Sequence, residues 1–208
     1  MTQAGTRQNK IIVGTATIAA DLHKIMLIAW TVSIAAKNAL IISAQAGETA
    51  RGFQPITRYI DEITRSTLDN TERVEQQSIQ LTRFSARYLY TLDATRRYQQ
   101  IFRQAVDAQY LATLQPAFDK CRTRLTEEQQ SLSRHLQVLI LYLEELDQNM
   151  REALAVAALC RIEASRAGEF RQNLSAVSDD LDKAARKIQA MLQDGLKRIY
   201  IIQADSQL

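Results

Sequence analysis

Glycine and proline are scarce in this chain, six and two among 208 residues. So few breakers cannot punctuate the many turns of a β-sandwich, a barrel or an α/β sheet. Cysteine is equally sparse. Cys121 and Cys160 lie 39 residues apart, which excludes a disulfide scaffold and a zinc ribbon. Aromatics make up only 6% of the chain. A strong excess of one charge is also missing: the net charge is +3, too mild and too dispersed for a nucleic-acid-binding surface. What is abundant is alanine and glutamine, 28 and 21 residues, alongside arginine and leucine. These are helix formers, and an all-α protein built from a few long helices follows.

The charges are unevenly placed. Residues 1–47 carry four basic groups and one acidic group, whereas the rest of the chain carries 22 of each. Interspersed charges of that kind belong to solvated helix faces. The polar first ten residues do not resemble a signal peptide, and the reading is cytoplasmic. Residues 25–36 hold no charge, and the apolar stretch continues past Lys37 to Gly47. A bilayer span needs about 20 predominantly apolar residues. Lys37 would sit near mid-depth with Asn38 beside it, at high cost, so membrane crossing is not expected.

The breakers fall at 47–55, at Gln115-Pro116 and at Gly168, and heptads run between them. In the first segment, steps of four and three select Ile11, Thr15, Ile18, Leu22, Ile25, Ala29, Val32, Ala36, Ala39, Ser43 and Ala46. In the second they select Ile56, Ile60, Ile63, Thr67, Asn70, Val74, Gln77, Leu81, Phe84 and Tyr88. The third runs from Leu132 through Leu136, Leu139, Leu143, Leu146, Met150, Ala153, Ala157, Cys160 and Ala164 to Ala167. The fourth holds Leu174, Val177, Leu181, Ala184, Ile188 and Met191. Four helices near 9–46, 54–114, 117–167 and 170–205 are expected, in one helical domain spanning 1–208. Residues 9–114 form a first hairpin turning near 47–53, and 117–205 a second turning near 168–169. A break in the second helix somewhere around 86–96 is allowed for, without a clear signal in the sequence. Pro116 suits a first helical turn, and Gly47 and Gly168 suit helix C-termini. Short connections make this an up-down-up-down antiparallel four-helix bundle. Seam residues in the first and third helices shrink to Ala, Ser and Cys toward Gly47 and Gly168. Both turns therefore belong at one narrow end.

An internal repeat reinforces this arrangement. Ala46-Gly47-Glu48 and Ala167-Gly168-Glu169 end Ala-rich helices 121 residues apart. Each is followed by a periodic helix with an acidic pair, Asp61-Glu62 and Asp179-Asp180. The run from Asn38 to Phe53 resembles the hairpin tip of bacterial chemoreceptors, the methyl-accepting chemotaxis proteins, whose pattern is N-A-A-I-E-A-A-R-A-G-E-x-G-R-G-F. Asn38, Ala39, Ile41, Ala44, Ala46, Gly47, Glu48, Arg51, Gly52 and Phe53 match at identical spacing. In the second copy Ile162-Glu163-Ala164, Arg166-Ala167-Gly168 and Glu169 match. The resemblance covers roughly residues 28–75 and 150–190. It implies that the single chain is a covalent pseudo-dimer of a receptor tip, with Gly47, Gly52 and Gly168 as hairpin-turn residues.

The resemblance further implies tip contacts with a chemotaxis histidine kinase, its coupling adaptor or other chemoreceptors. The residues so implicated are Ile34, Asn38, Ile41, Ile42, Gln45, Glu48, Arg51 and Phe53 in the first copy. In the second they are Leu159, Glu163, Arg166 and Glu169. Neither copy is complete: either the two divide the contacts between them, or the chain binds something else. The first keeps Asn38 but has Ile42 and Gln45 for the family Glu and Arg. The second keeps Glu163 and Arg166 but has Leu159 for the Asn, and continues into Phe170-Arg171-Gln172 instead of G-R-G-F. Pro55 replaces an aliphatic residue just after the first tip. Glu127-Glu128 resembles a methylation pair in type, although a solvated helix face explains it as well.

Catalytic chemistry is poorly represented. His23 and His135 lie 24 and 33 residues from their tips, about 13 Å apart along a bundle at 1.5 Å per residue, too far for a shared metal or haem. No Glu-x-x-His pair suggests a di-iron site, and no phosphate loop or nucleophile elbow is found. The chain reads as a non-enzyme without a cofactor. Cys160 falls on the seam and Cys121 between Lys120 and Arg122, the latter the more reactive setting. Beyond its seam, the first helix also carries Met26, Leu27, Ile28, Trp30, Ile34, Leu40, Ile41 and Ile42, and Leu27, Ile34 and Ile41 repeat every seven residues on another face. A wider core contact and a self-association or partner surface both account for these. Two alternatives to the receptor-tip reading stand: a bundle holding a ligand or cofactor between its helices, and a membrane-associated structural protein.

Overall fold

A computed structural model describes residues 3–105 and 109–206. It is an all-α bundle of four long helices: α1 (Gln3–Ala46), α2 (Phe53–Gln104), α3 (Gln115–Ala164) and α4 (Arg171–Ser206). Short 3-10 turns at Gly47–Ala50, Leu111–Leu114 and Gly168–Phe170 lie in the connections. Each helix packs against the next in sequence, and α4 closes the ring against α1. The α1–α2 and α3–α4 turns consequently share one end.

The seams of α1 and α3 are those the heptads select. Ile18, Ile25, Ala29, Val32, Ala36, Ala39 and Ser43 of α1 are buried, as are all eleven expected positions from Leu132 to Ala167. The side chains of Ile11, Thr15 and Leu22 lie outside the described residues. The return helices follow the expected columns in part. In α2, Ile60, Ile63, Thr67, Asn70, Val74, Leu81 and Tyr88 are buried as expected, Ile56, Gln77 and Phe84 are only half-buried, and the core also takes Thr57, Thr64, Thr71, Ser78 and Ser85. In α4, Ala185 and Leu192 are buried where Ala184 and Met191 were expected.

The physical reason is volume. Leu132, Leu136, Leu139, Leu143 and Leu146 fill the α3 seam, and bulky layers call for small residues in the facing helix. Threonine tolerates such burial because its hydroxyl can bond within its own helix. Thr64 Oγ1 donates to the Ile60 carbonyl at 2.7 Å, and Thr71 Oγ1 to the Thr67 carbonyl at 2.7 Å. Ser43, Ser78 and Ser85 are buried too, but their hydroxyls have no partner among the described residues.

Helix α2 is continuous through 86–96 and ends at Gln104, ten residues short of the expected 114. Residues 106–108 lie outside the described residues. Pro116 is fixed in the first turn of α3, so the chain must reverse upstream of it, although no breaker marks residues 105–114. Gly47 and Gly168 have φ of +57° and +56°. Nothing lies within 4 Å of a Cβ placed at either, so the left-handed backbone alone favours glycine there. Gly52 is different. It lies in the turn before α2, but its φ is −65°, an ordinary helical value, so the backbone alone does not favour glycine there.

Candidate docking site at the two hairpin tips

The first tip is built by α1 ending in a left-handed glycine, which frees Glu48 and Arg51 to face solvent. Arg51 Nη1 lies 3.3 Å from a Glu48 carboxylate oxygen. In the second tip Arg166 Nη1 lies 3.3 Å from Glu163 Oε1. Both are surface i,i+3 pairs, which orient side chains more than they stabilise the fold. The second turn is closed by backbone bonds, with Ala167 N donating to the Ala164 carbonyl and Phe170 N to the Ala167 carbonyl, both at 3.1 Å. Beyond the tip, Arg161 of α3 bridges to Asp179 of α4 at 3.1 Å. One member of the acidic pair thereby fastens the second hairpin.

The two tips touch. The carboxylate of Glu163 lies against Gly52 where a side chain would begin. Gly52 is thus a close-approach glycine, and any Cβ there would displace Glu163. The first hairpin carries Asn38 and Arg51-Gly52-Phe53, the second Glu163 and Arg166, and this contact brings the two stretches to one end. The contact crosses two hairpins and leaves no trace in either local sequence, so sequence reasoning missed it.

Most of the expected contact residues are open to solvent. Asn38, Gln45, Glu48, Arg51, Arg166 and Glu169 are exposed. Ile34, Ile41 and Leu159 are exposed despite being apolar, as is Ile162. Ile42 and Glu163 are half-buried. Phe53 is a correction: only 1% of it is accessible. It anchors the start of α2 in the core, because an aromatic side chain opening a return helix closes the narrow end of the bundle. Glu127 is exposed, and half-buried Glu128 faces Arg124 at 3.8 Å. They lie 40 residues before Gly168, on the order of 60 Å along α3, and are not brought to the tip.

The remaining chemistry-bearing groups are dispersed. His23 is exposed. His135 stacks on Phe84 with ring centroids 4.3 Å apart, and its Nδ1 is 3.2 Å from Gln77 Oε1. Burial, and secondarily the Arg134 charge, hold its pKa below the ordinary value. Burial pushes the Cys160 thiol up to about 12, opposed in part by a hydrogen bond with Ser178, so it packs as a small apolar group. No metal-ligating cluster of three or more His, Cys, Asp or Glu occurs among the described residues. A half-open space between the helices, bordered by Ala29, Ile63, Thr67, Met150 and Leu181, measures about 20 Å³, room for a single water. What this end of the molecule offers is a rigid, mixed polar and apolar surface suited to recognition. No protein-family model and no curated protein matches the chain, so its likeness to the receptor tip rests on the residues quoted above.

Proposed function

We propose that the chain is a non-enzymatic signalling scaffold that presents a receptor-tip-like surface to chemotaxis array components: the histidine kinase, its coupling adaptor or chemoreceptors. The observation that carries this reading is the apposition of the two incomplete tips through Glu163 and Gly52. It places the Asn38 side of the first hairpin and the Glu163–Arg166 side of the second on one end. The exposed apolar residues Ile41, Leu159 and Ile162 beside them supply the area that a docking surface needs around its polar contacts. A rigid bundle fixes their spacing, which keeps the entropy cost of binding low.

The ligand-carrying alternative draws less support: the space between the helices beside Ala29, Ile63 and Leu181 holds about 20 Å³. The larger clefts of about 410, 340 and 430 Å³ lie open on the surface beside Arg122, Arg73 and Arg83, unlike the enclosed, mostly apolar pockets of small-molecule sites. The test is a pull-down from the native cells with wild type and with Asn38→Ala combined with Glu163→Ala. Recovery of kinase, adaptor or receptor with wild type, and its loss with the variant at unchanged melting temperature, supports the reading. Identical recoveries lacking all three would sink it.

A further inference from the structure

The outward face of α1 is apolar and bare, and only its end at Ile34 and Ile41 reaches the tip contacts. Val13, Leu27, Trp30, Ile34 and Ile41 are 57%, 55%, 62%, 48% and 58% exposed, with Lys37 among them. They are spaced in heptad steps on the side opposite the buried seam, and from Val13 to Ile41 they run about 42 Å. The internal repeat provides a control. At an offset of 121 residues, Val13, Leu27 and Trp30 correspond to Arg134, Gln148 and Arg151 of α3, all exposed. Leu141 and Ile162 of the same α3 column are exposed too, so α3 alternates apolar with polar residues where the α1 column from Val13 to Ile41 carries no charge.

The same segment carries the whole net charge. Residues 1–47 hold four basic groups and one acidic group, and the remaining chain balances at 22 of each. The single carboxylate, Asp21, is engaged by Lys24 at 3.0 Å. Lys37 makes no ion pair among the described residues.

We propose that this face lays α1 flat on an anionic lipid bilayer. Apolar side chains enter the headgroup boundary, Trp30 sits at the interface, and the surrounding cations meet lipid phosphates. The charge decides between occupants. A second copy pairing α1 against α1 brings both basic excesses together with no free carboxylate on the strip to meet them. Crossing the bilayer is also disfavoured, although Ala16–Ala46 is long and apolar enough. It would strip Ile25, Ala29, Val32 and Ala36 from the core and place Lys37 in hydrocarbon.

Trp30 is the only tryptophan, so intrinsic fluorescence of the full-length protein reads this face directly. Phosphatidylglycerol-rich vesicles should shift Trp30 emission to the blue, with quenching by lipids brominated near the headgroup. Phosphatidylcholine vesicles should do so at least about tenfold more weakly, and added salt should weaken the anionic case. Leu27→Ser with Ile34→Ser should lower partitioning by about tenfold or more. Lys37→Glu, a surface change that leaves the core untouched, should weaken binding to anionic vesicles only. The proposal is overturned by unchanged Trp30 emission, by equal binding to neutral vesicles, or by salt-insensitive quenching from the bilayer centre. It is equally overturned by a dimer in light scattering that the Leu27→Ser, Ile34→Ser variant converts to monomer. Glu163→Ala should leave vesicle binding unchanged, which keeps this test separate from that of tip docking.

Discussion

Replacing Ser78 and Ser85 by alanine should stabilise the protein. Both side chains are fully buried in the α2 seam and their hydroxyls have no hydrogen-bond partner among the described residues. A buried hydroxyl left unpaired costs roughly 1–3 kcal/mol in mutational terms. Removing it opens a space of only one oxygen atom, whose lost contacts offset part of that gain. Alanine also has the higher helix propensity, by about 0.5 kcal/mol. The net expectation is a gain of about 0.5–1.5 kcal/mol per site. The two positions are seven residues apart, about 10.5 Å along the helix, so their effects should add within about 0.5 kcal/mol. For a chain of this size, 1 kcal/mol corresponds to a rise in Tm of about 2–4 °C. Thr64→Ala supplies the contrast. Its hydroxyl is satisfied by the Ile60 carbonyl at 2.7 Å and its methyl group is packed, so it should lose about 1 kcal/mol or more. Thermal and urea unfolding of the three variants measures this. If the serine variants lose as much stability as Thr64→Ala, the Ser78 and Ser85 hydroxyls are hydrogen-bonded and the reasoning fails.

Further outcomes follow from the same structure. Gly47→Ala and Gly168→Ala should each cost about 1 kcal/mol in urea unfolding, because φ near +57° is strained for any residue with a Cβ. His135 has a lowered folded pKa, so the unfolded state binds its proton more readily. Its contribution is complete above the unfolded value near 6.5 and is lost as pH falls through the window below it. The pH dependence of Tm between roughly 6.5 and the lower folded value should flatten in His135→Gln. With its thiol near 12, Cys160 should resist thiol reagents at pH 8 until the protein unfolds, while half-buried Cys121 reacts in the native state. Two native thiols reacting at similar rates would contradict the packing around Cys160.

The sequence made the two hairpins and their shared end legible, because Ala46-Gly47-Glu48 and Ala167-Gly168-Glu169 each mark a left-handed helix end. The α3 seam was readable because its leucines leave one apolar stripe. In α2 and α4 two adjacent columns compete, Ile56, Gln77 and Phe84 against Thr57, Ser78 and Ser85. Apolarity alone favours the first, and the bulk of the facing α3 leucines favours the second. A single-helix pattern cannot contain that second fact. The end of α2 was hidden because residues 105–114 hold no Gly or Pro, and its position follows from the chain reversal before Pro116. At the tips, Phe53 matched a family motif yet its side chain is core, since a matching residue can be retained for packing as well as for contact. The apolar outer face of α1 was visible in the sequence, but its exposure depended on where α2 and α4 pack.

The account depends most on both tips meeting at one end of a single bundle. Spin labels at Gln45→Cys and Arg166→Cys, two exposed tip positions, in a Cys121→Ser background test this by pulsed electron resonance. With helix axes 8–10 Å apart, the labels should lie within about 30 Å of each other. A narrow distribution in that range is the predicted result. A dominant distance on the order of 60 Å, one α3 length away, would place the tips at opposite ends and contradict the shared docking surface.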